Sequence, residues 1–169
     1  METNTTVRIL IAADGSPYTR LAARHVAEHL DWFAGDPQVH VLHVEPPMPY
    51  ARAQAVVGKQ AVLAYQREES ETALAVAQDE LDKAGVRYQA SWTVGDVVTE
   101  IAEYVHANRI DLLVMGSHGK GALASLALGS VAQKCLALLD VPVLVLRAPD
   151  RRPVPKGEAP SALEERHPG

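Results

Sequence analysis

The amino-acid sequence predicts an α/β fold: a single open, five-stranded parallel sheet flanked by helices on both faces, of Rossmann-like type. Three observations predict it. Short, nearly continuous apolar runs recur along the chain, stretches of helical period separate them, and the two patterns alternate as five strands and four helices. Runs of that kind suit strands buried on both faces, and right-handed crossovers leave few topologies for joining them.

Val7 to Ala13 (VRILIAA) is the first strand, closed by Asp14-Gly15-Ser16-Pro17. From Pro17 to Phe33 the period is helical, with Ala22, Val26, Leu30 and Phe33 on one face and Pro17 suited to a first turn. Val39 to Val44 (VHVLHV) is the second strand, and the Glu45-Pro46-Pro47 continuation is a stiff loop that cannot extend a ladder. A long helix is expected from about Gln54 to Lys83, stopped by Gly85. Val86 to Thr93 alternates apolar and polar residues, as an edge strand with one wet face would. Asp96 caps a helix running through His106, Asp111 to Gly116 is another buried strand, and Ser130 to Leu139 is helical. Val141, pushed out of helical geometry by Pro142, bounds that helix before the last strand, Val143 to Leu146.

The charge balance, 16 basic against 21 acidic residues in a chain of 169, gives −5 and no basic field for nucleic acid. A single cysteine, Cys135, excludes an intrachain disulfide and points to a reducing compartment, the cytoplasm. The longest uncharged stretch, Gly121 to Gln133, is well short of the roughly 20 residues of a membrane helix, so no membrane insertion is expected. Five of the 11 prolines and a balanced four basic and four acidic residues fall in the last 21 positions. The reading is therefore one domain over residues 1–148 and a disordered tail over 149–169.

Four of the 11 glycines, at 116, 119, 121 and 129, lie within 14 residues between a buried strand and a helix. Gly116 can turn the chain off the strand, Gly119 admits a close ligand, and Gly129-Ser130 would offer unpaired N–H groups and a helix dipole to an anion. Lys120 adds a positive charge. Ser130 with Gln133 also reads as a capping box that needs no ligand, and composition leaves the two readings evenly weighted. The segment lacks the G-x-x-x-x-G-K-[ST] pattern, and its G-x-G-x-x-A fragment follows the fourth strand instead of opening the first unit.

Gly116-x-x-Gly119, nine further residues, then Gly129-Ser130-Val131 resemble the G-x2-G-x9-G-[ST] signature of ATP-binding relatives of universal stress protein A. Asp14 closing the first strand and Leu42-His43-Val44 closing the second agree, and the resemblance covers about residues 7–147. It implies the universal stress protein type of sheet and an ATP site, with ADP or AMP as alternatives. Asp14 would lie by the ribose and phosphates and help hold Mg or Mn, with Val44 main-chain groups on the adenine edge. Gly116, Ser117, His118 and Gly119 would wrap the ribose and phosphates, while Gly129, Ser130 and Val131 would donate to the phosphates. Ala13 and Met115, at the strand ends beside these loops, complete the nucleotide site. The resemblance also implies a homodimer paired through Val143 to Leu146. The stiff proline continuation and the long tail depart from the family pattern.

The reading of function is a regulatory nucleotide-dependent dimeric switch in stress response, with two alternatives: a slow ATP-hydrolysing or phosphoryl-transferring enzyme, and a nucleotide-free dimeric scaffold. Binding outranks turnover because the glycine segment has no arginine and no second carboxylate has a clear metal role. His118 would make affinity pH-dependent, since histidine is the side-chain type whose free charge changes near neutrality. His25-x-x-Glu28-His29 matches a zinc-protease pattern without an apparent third ligand. Cys135, grouped with Val131, Leu138 and Leu139, is expected in the core, as are Trp32 and Trp92.

Overall fold

The first apolar run forms a strand, β1 (Arg8–Ala13), whose alternate residues feed two separate cores. Ile9, Ile11 and Ala13 pack on one face and Leu10 on the other, and all four are buried, which is why the run is nearly continuous instead of alternating. The structure, a computed structural model, describes residues 6–33, 35–48, 58–120 and 128–147. The outset of the expected second helix before residue 58, residues 121–127 of the glycine segment and the tail lie outside the described residues.

From β1 the chain runs through α1 (Pro17–Glu28), β2 (Gln38–Glu45), α2 (Lys59–Lys83), β3 (Tyr88–Val94), α3 (Val97–Ala107), β4 (Leu112–Gly116), α4 (Ser130–Leu138) and β5 (Val143–Leu146). The strands form one parallel sheet in the order β3-β2-β1-β4-β5, with Ile11 opposite Val41 on one side and Val114 on the other. The predicted fold class is thus the observed one, and the alternating strand β3 is indeed an edge.

Ala22, Ala23 and Val26 of α1 and Leu74, Ala77 and Leu81 of α2 cover the Ile9, Ile11, Val39 and Val41 face. Val98, Ile101 and Val105 of α3 and Ala132 and Cys135 of α4 cover Leu10, Leu42, Val44, Leu113 and Met115 on the opposite face. Cys135 is a core residue, as expected, and burial pushes its thiol up from the ordinary range. Trp92 packs against the first core as well. Between α1 and α2, the Glu80 carboxylate takes Arg20 Nη1 and Arg24 Nε, each at 3.0 Å, with Lys83 Nζ at 3.5 Å. Those hydrogen bonds, Arg24's first, hold the Glu80 carboxyl below its usual range.

Several boundaries differ from the sequence reading. Helix α1 stops at Glu28, and Leu30–Trp32 is a 3₁₀ turn. That break lets Leu30 and Phe33 still reach the first core, but it leaves Trp32 66% exposed, lying over His25 and His29 instead of in the core. Burial, then the neighbouring His29, lowers the His25 pKa. Helix α2 begins at Lys59 because Gly58, at φ +83°, is outside helical geometry. It ends as Gly85 predicted: Gly85, at φ +70°, donates to Asp82 O, and Val86 to Leu81 O, both bonds of a Schellman cap. Val86 is therefore spent on the cap and β3 starts at Tyr88. Leu138 is 68% exposed, off the buried face that Cys135 occupies, and the helix ends there with extended Leu139.

Ile11→Ala removes a side chain buried between α1 and α2 at the sheet centre. It is expected to lower stability by about 2–5 kcal/mol, measured by urea denaturation.

Candidate functional site

Between β1 and β4 the sheet order reverses, so the loops leaving these two strands diverge and open a crevice at their carboxyl ends. A cleft of about 670 Å³ fills that position. All eleven residues expected at the site line it: Ala13 and Asp14 from β1 and its loop, Val44 from β2, Met115 to Gly119 after β4, and Gly129 to Val131 at α4.

Asp14 is the hub of the crevice. Its Oδ1 accepts from the Ser16 amide at 3.0 Å and the Thr19 hydroxyl at 2.8 Å, and Thr19 Oγ1 in turn accepts from the Asp14 amide at 3.0 Å. Its Oδ2 accepts from the Lys120 amide at 2.8 Å, tying the β4 loop to the end of β1. Burial opposes ionisation of this carboxyl, but the donors from Ser16, Thr19 and Lys120 outweigh it and hold the pKa below the usual aspartate value. Ser16 meanwhile caps α1 by accepting from the Thr19 amide.

The glycines are needed by the protein's own packing. A Cβ on Gly119 would sit 2.7 Å from Asp14 Oδ2, one on Gly116 would run into Tyr18, and one on Gly129 would lie 2.9 Å from the Ser117 carbonyl oxygen. The Gly129 amide is also taken, donating to Ser117 O at 2.7 Å, which corrects the expectation that it is unpaired. The capping box is absent too: Gly129 occupies the cap position, Ser130 is the first helical residue, and the Gln133 amide side chain reaches Leu128 O instead. Consequently no side chain caps α4, and its first turn, Ser130 to Ala132, lines the cleft.

The cleft is lined by the acidic side chains of Asp14, Glu45 of β2 and Glu69 of α2, by Lys120 after β4, and by the first turn of α4. A Cβ on Gly15 would meet both Ala73 of α2 and Lys120 Cε, which puts Lys120 close to α2. His43, buried, bridges β2 and β1, with Nδ1 2.7 Å from Ala13 O and Nε2 3.2 Å from the Glu45 carboxylate. His118 lines the cleft with Nδ1 3.0 Å from the Ser117 hydroxyl and its ring against Tyr18. Sequence reasoning missed Glu69, Val97 and Ile101, which line the cleft together with Glu45 and Pro46 of the proline continuation. For Ile101 the helical period signalled core, which it also is; Glu69 carries no local signal because only the docking of α2 brings it there.

His25 and His29 do not line the cleft, and among the described residues no group of three or more His, Cys, Asp or Glu is placed to hold a metal. The zinc-protease reading therefore lacks its third ligand there. No helix among the described residues is long and apolar enough to cross a membrane.

Residues 6–147 match the Universal stress protein family. The chain belongs to that family. Universal stress protein MJ0531 of Methanocaldococcus jannaschii is 29% identical over 144 residues, covering 85% of this chain and 84% of its own. The solved structure of MJ0577, from the same organism, superposes with a TM-score of 0.70 at 26% identity, covering 83% of this chain and 95% of its own. An Arabidopsis thaliana family member solved with AMP bound has the same fold, with a TM-score of 0.58 at 17% identity over 83% of this chain and 91% of its own. Other family structures of this fold were solved with cAMP and with dAMP.

Asp14→Asn places an amide N–H₂ or a weaker acceptor against the Lys120 amide, and is expected to cost about 1–3 kcal/mol at pH 7. Because the folded-state pKa is depressed, this contribution is fully present above the unfolded value of about 4 and is lost progressively below it, as pH falls through the lower folded-state pKa. Urea denaturation between pH 7 and pH 2.5 should therefore show the wild-type advantage over Asp14→Asn shrinking as the medium is acidified.

Proposed function

We propose that the cleft binds an adenine nucleotide, ATP foremost, and that the protein is a regulatory, nucleotide-dependent dimeric switch in stress response. The observation that carries this reading is the uncapped first turn of α4 facing the crevice, at the point where the sheet order reverses. The unpaired amides of that first turn and the helix dipole favour the phosphates there. The base accordingly lies toward Val44, and the phosphates lie against Ser130 and Val131. Asp14 retains lone-pair capacity beyond its three accepted bonds and would hold Mg or Mn together with phosphate oxygens. AMP, cAMP and dAMP in family structures support the nucleotide class.

Binding is favoured over phosphoryl transfer. No arginine lines the cleft among the described residues, and a carboxylate held below its usual pKa is a poor general base. The cytoplasm remains the compartment this reading assigns.

Gly129→Val is a poor probe of the site because its Cβ would strike the loop backbone before any ligand. Ser130→Pro is cleaner. Proline suits a first helical position, Gly129 at ψ 149° tolerates a following proline, and the change deletes one amide donor and one hydroxyl. The wild type is expected to bind MgATP by calorimetry, and Ser130→Pro to weaken it at least tenfold with a melting temperature near that of the wild type. Equal affinity in the two proteins would remove α4 from the site.

The dimer in this reading forms along the outer edge of β5. Pro142 and Leu146 carbonyls accept from Leu113 and Ser117, so the intervening odd-numbered residues of β5 point their amides away from β4. Val145→Pro removes an outward donor and leaves the β4 ladder intact. Light scattering after size exclusion should report a dimer for the wild type and a monomer for Val145→Pro.

A further inference from the structure

We propose that His25 and His29 form a surface site for one borderline divalent transition-metal ion, separate from the nucleotide cleft. His25 lies in the last turn of α1 and His29 is the residue that caps it, and their ring centroids are 4.2 Å apart. His29 Nδ1 is 2.8 Å from the His25 carbonyl oxygen. A carbonyl only accepts, so Nδ1 carries the hydrogen and, in the neutral ring, the lone pair is left on Nε2. That arrangement, one ring nitrogen donating to a backbone carbonyl, is the usual support behind a metal-binding histidine.

Two further features favour a cation at this place. The pair sits at the C-terminal end of α1, where the helix dipole is negative, and Glu28 is close enough to interact electrostatically with His25. The Trp32 ring, 4.1 Å from His29 and 5.7 Å from His25, walls the pair on one side. The nucleotide reading gives neither histidine a role, and neither lines the cleft. Two imidazoles without a thiolate suit Cu(II), Ni(II) or Zn(II) in preference to Mg or Ca, with Cu(II) bound most tightly and water in the remaining positions.

The test uses the full chain without a histidine tag, titrated with CuCl₂, NiCl₂ and ZnCl₂ in a non-chelating buffer at pH 7.5, read by calorimetry and tryptophan fluorescence. One equivalent of Cu(II) is expected to quench Trp32, more tightly than Ni(II) or Zn(II) binds. His25→Gln and His29→Gln should each weaken that equivalent at least tenfold, and the exposed control His106→Gln should not. Trp32→Phe should keep the heat of binding and lose most of the quenching. His25→Gln leaves the His29-to-carbonyl bond in place, so its result stands even if His29→Gln loosens the end of α1. Wild-type affinity in His25→Gln, quenching undiminished in Trp32→Phe, or no binding of any of the three ions by the wild type would each overturn the site.

Discussion

Asp14 leaves β1 where the sheet order reverses, and its two carboxylate oxygens take donors from both of the loops that part there. Ser16 and Thr19 hold Oδ1 on the α1 side; the Lys120 amide holds Oδ2 from across the crevice. An aspartate can do this because its short side chain is acceptor-only when ionised, and three donors more than offset its partial desolvation. The distance from Asp14 to Gly119 then leaves no space for a Cβ, so the carboxylate and the glycine specify one another.

This constraint alters the meaning of the glycine cluster. Glycines in a strand-to-helix connection are commonly explained by the ligand they admit, yet Gly116, Gly119 and Gly129 are each excluded from bearing a side chain by Tyr18, Asp14 and Ser117. The loop must be glycine-rich merely to close on itself. What that closure leaves behind is an α4 N-terminus with no side-chain cap, facing the cleft. That open helix end belongs to the fold even before any ligand is considered.

The parts of this arrangement that were legible in the sequence are those set by local chemistry. Two-sided burial of β1 and one-sided burial of β3 follow from continuous against alternating apolar patterns, and Gly85 and Asp96 mark helix ends through backbone geometry and a side-chain cap. What escaped is set by competition between local and tertiary terms. No glycine or proline stands at the end of α1; His29 leaves helical geometry and the turn that follows carries Leu30 and Phe33 to the core. Ser130 has the sequence of a capping box, but the Gly129 amide bonds to Ser117 and moves the cap one residue earlier. Glu69 reaches the cleft only because α2 docks where it does.

Under the proposed reading, a switch requires that occupancy of the cleft be felt at the β5 edge, and a single residue lies between the two. Ser117 accepts from Gly129, the cap of α4, at 2.7 Å, and donates to Leu146 at the end of β5 at 2.8 Å. Val131 and Leu139 of α4's two ends also pack in the same core as Val143 and Val145. Phosphates drawn to the first turn of α4 would act on Gly129, whose amide hydrogen bond to the Ser117 carbonyl links the cap of α4 to Leu146 of β5. A close-packed junction of this kind transmits displacement instead of absorbing it. In that reading the same few backbone bonds border the α4 end of the cleft and hold the strand whose outer edge would pair with a second copy.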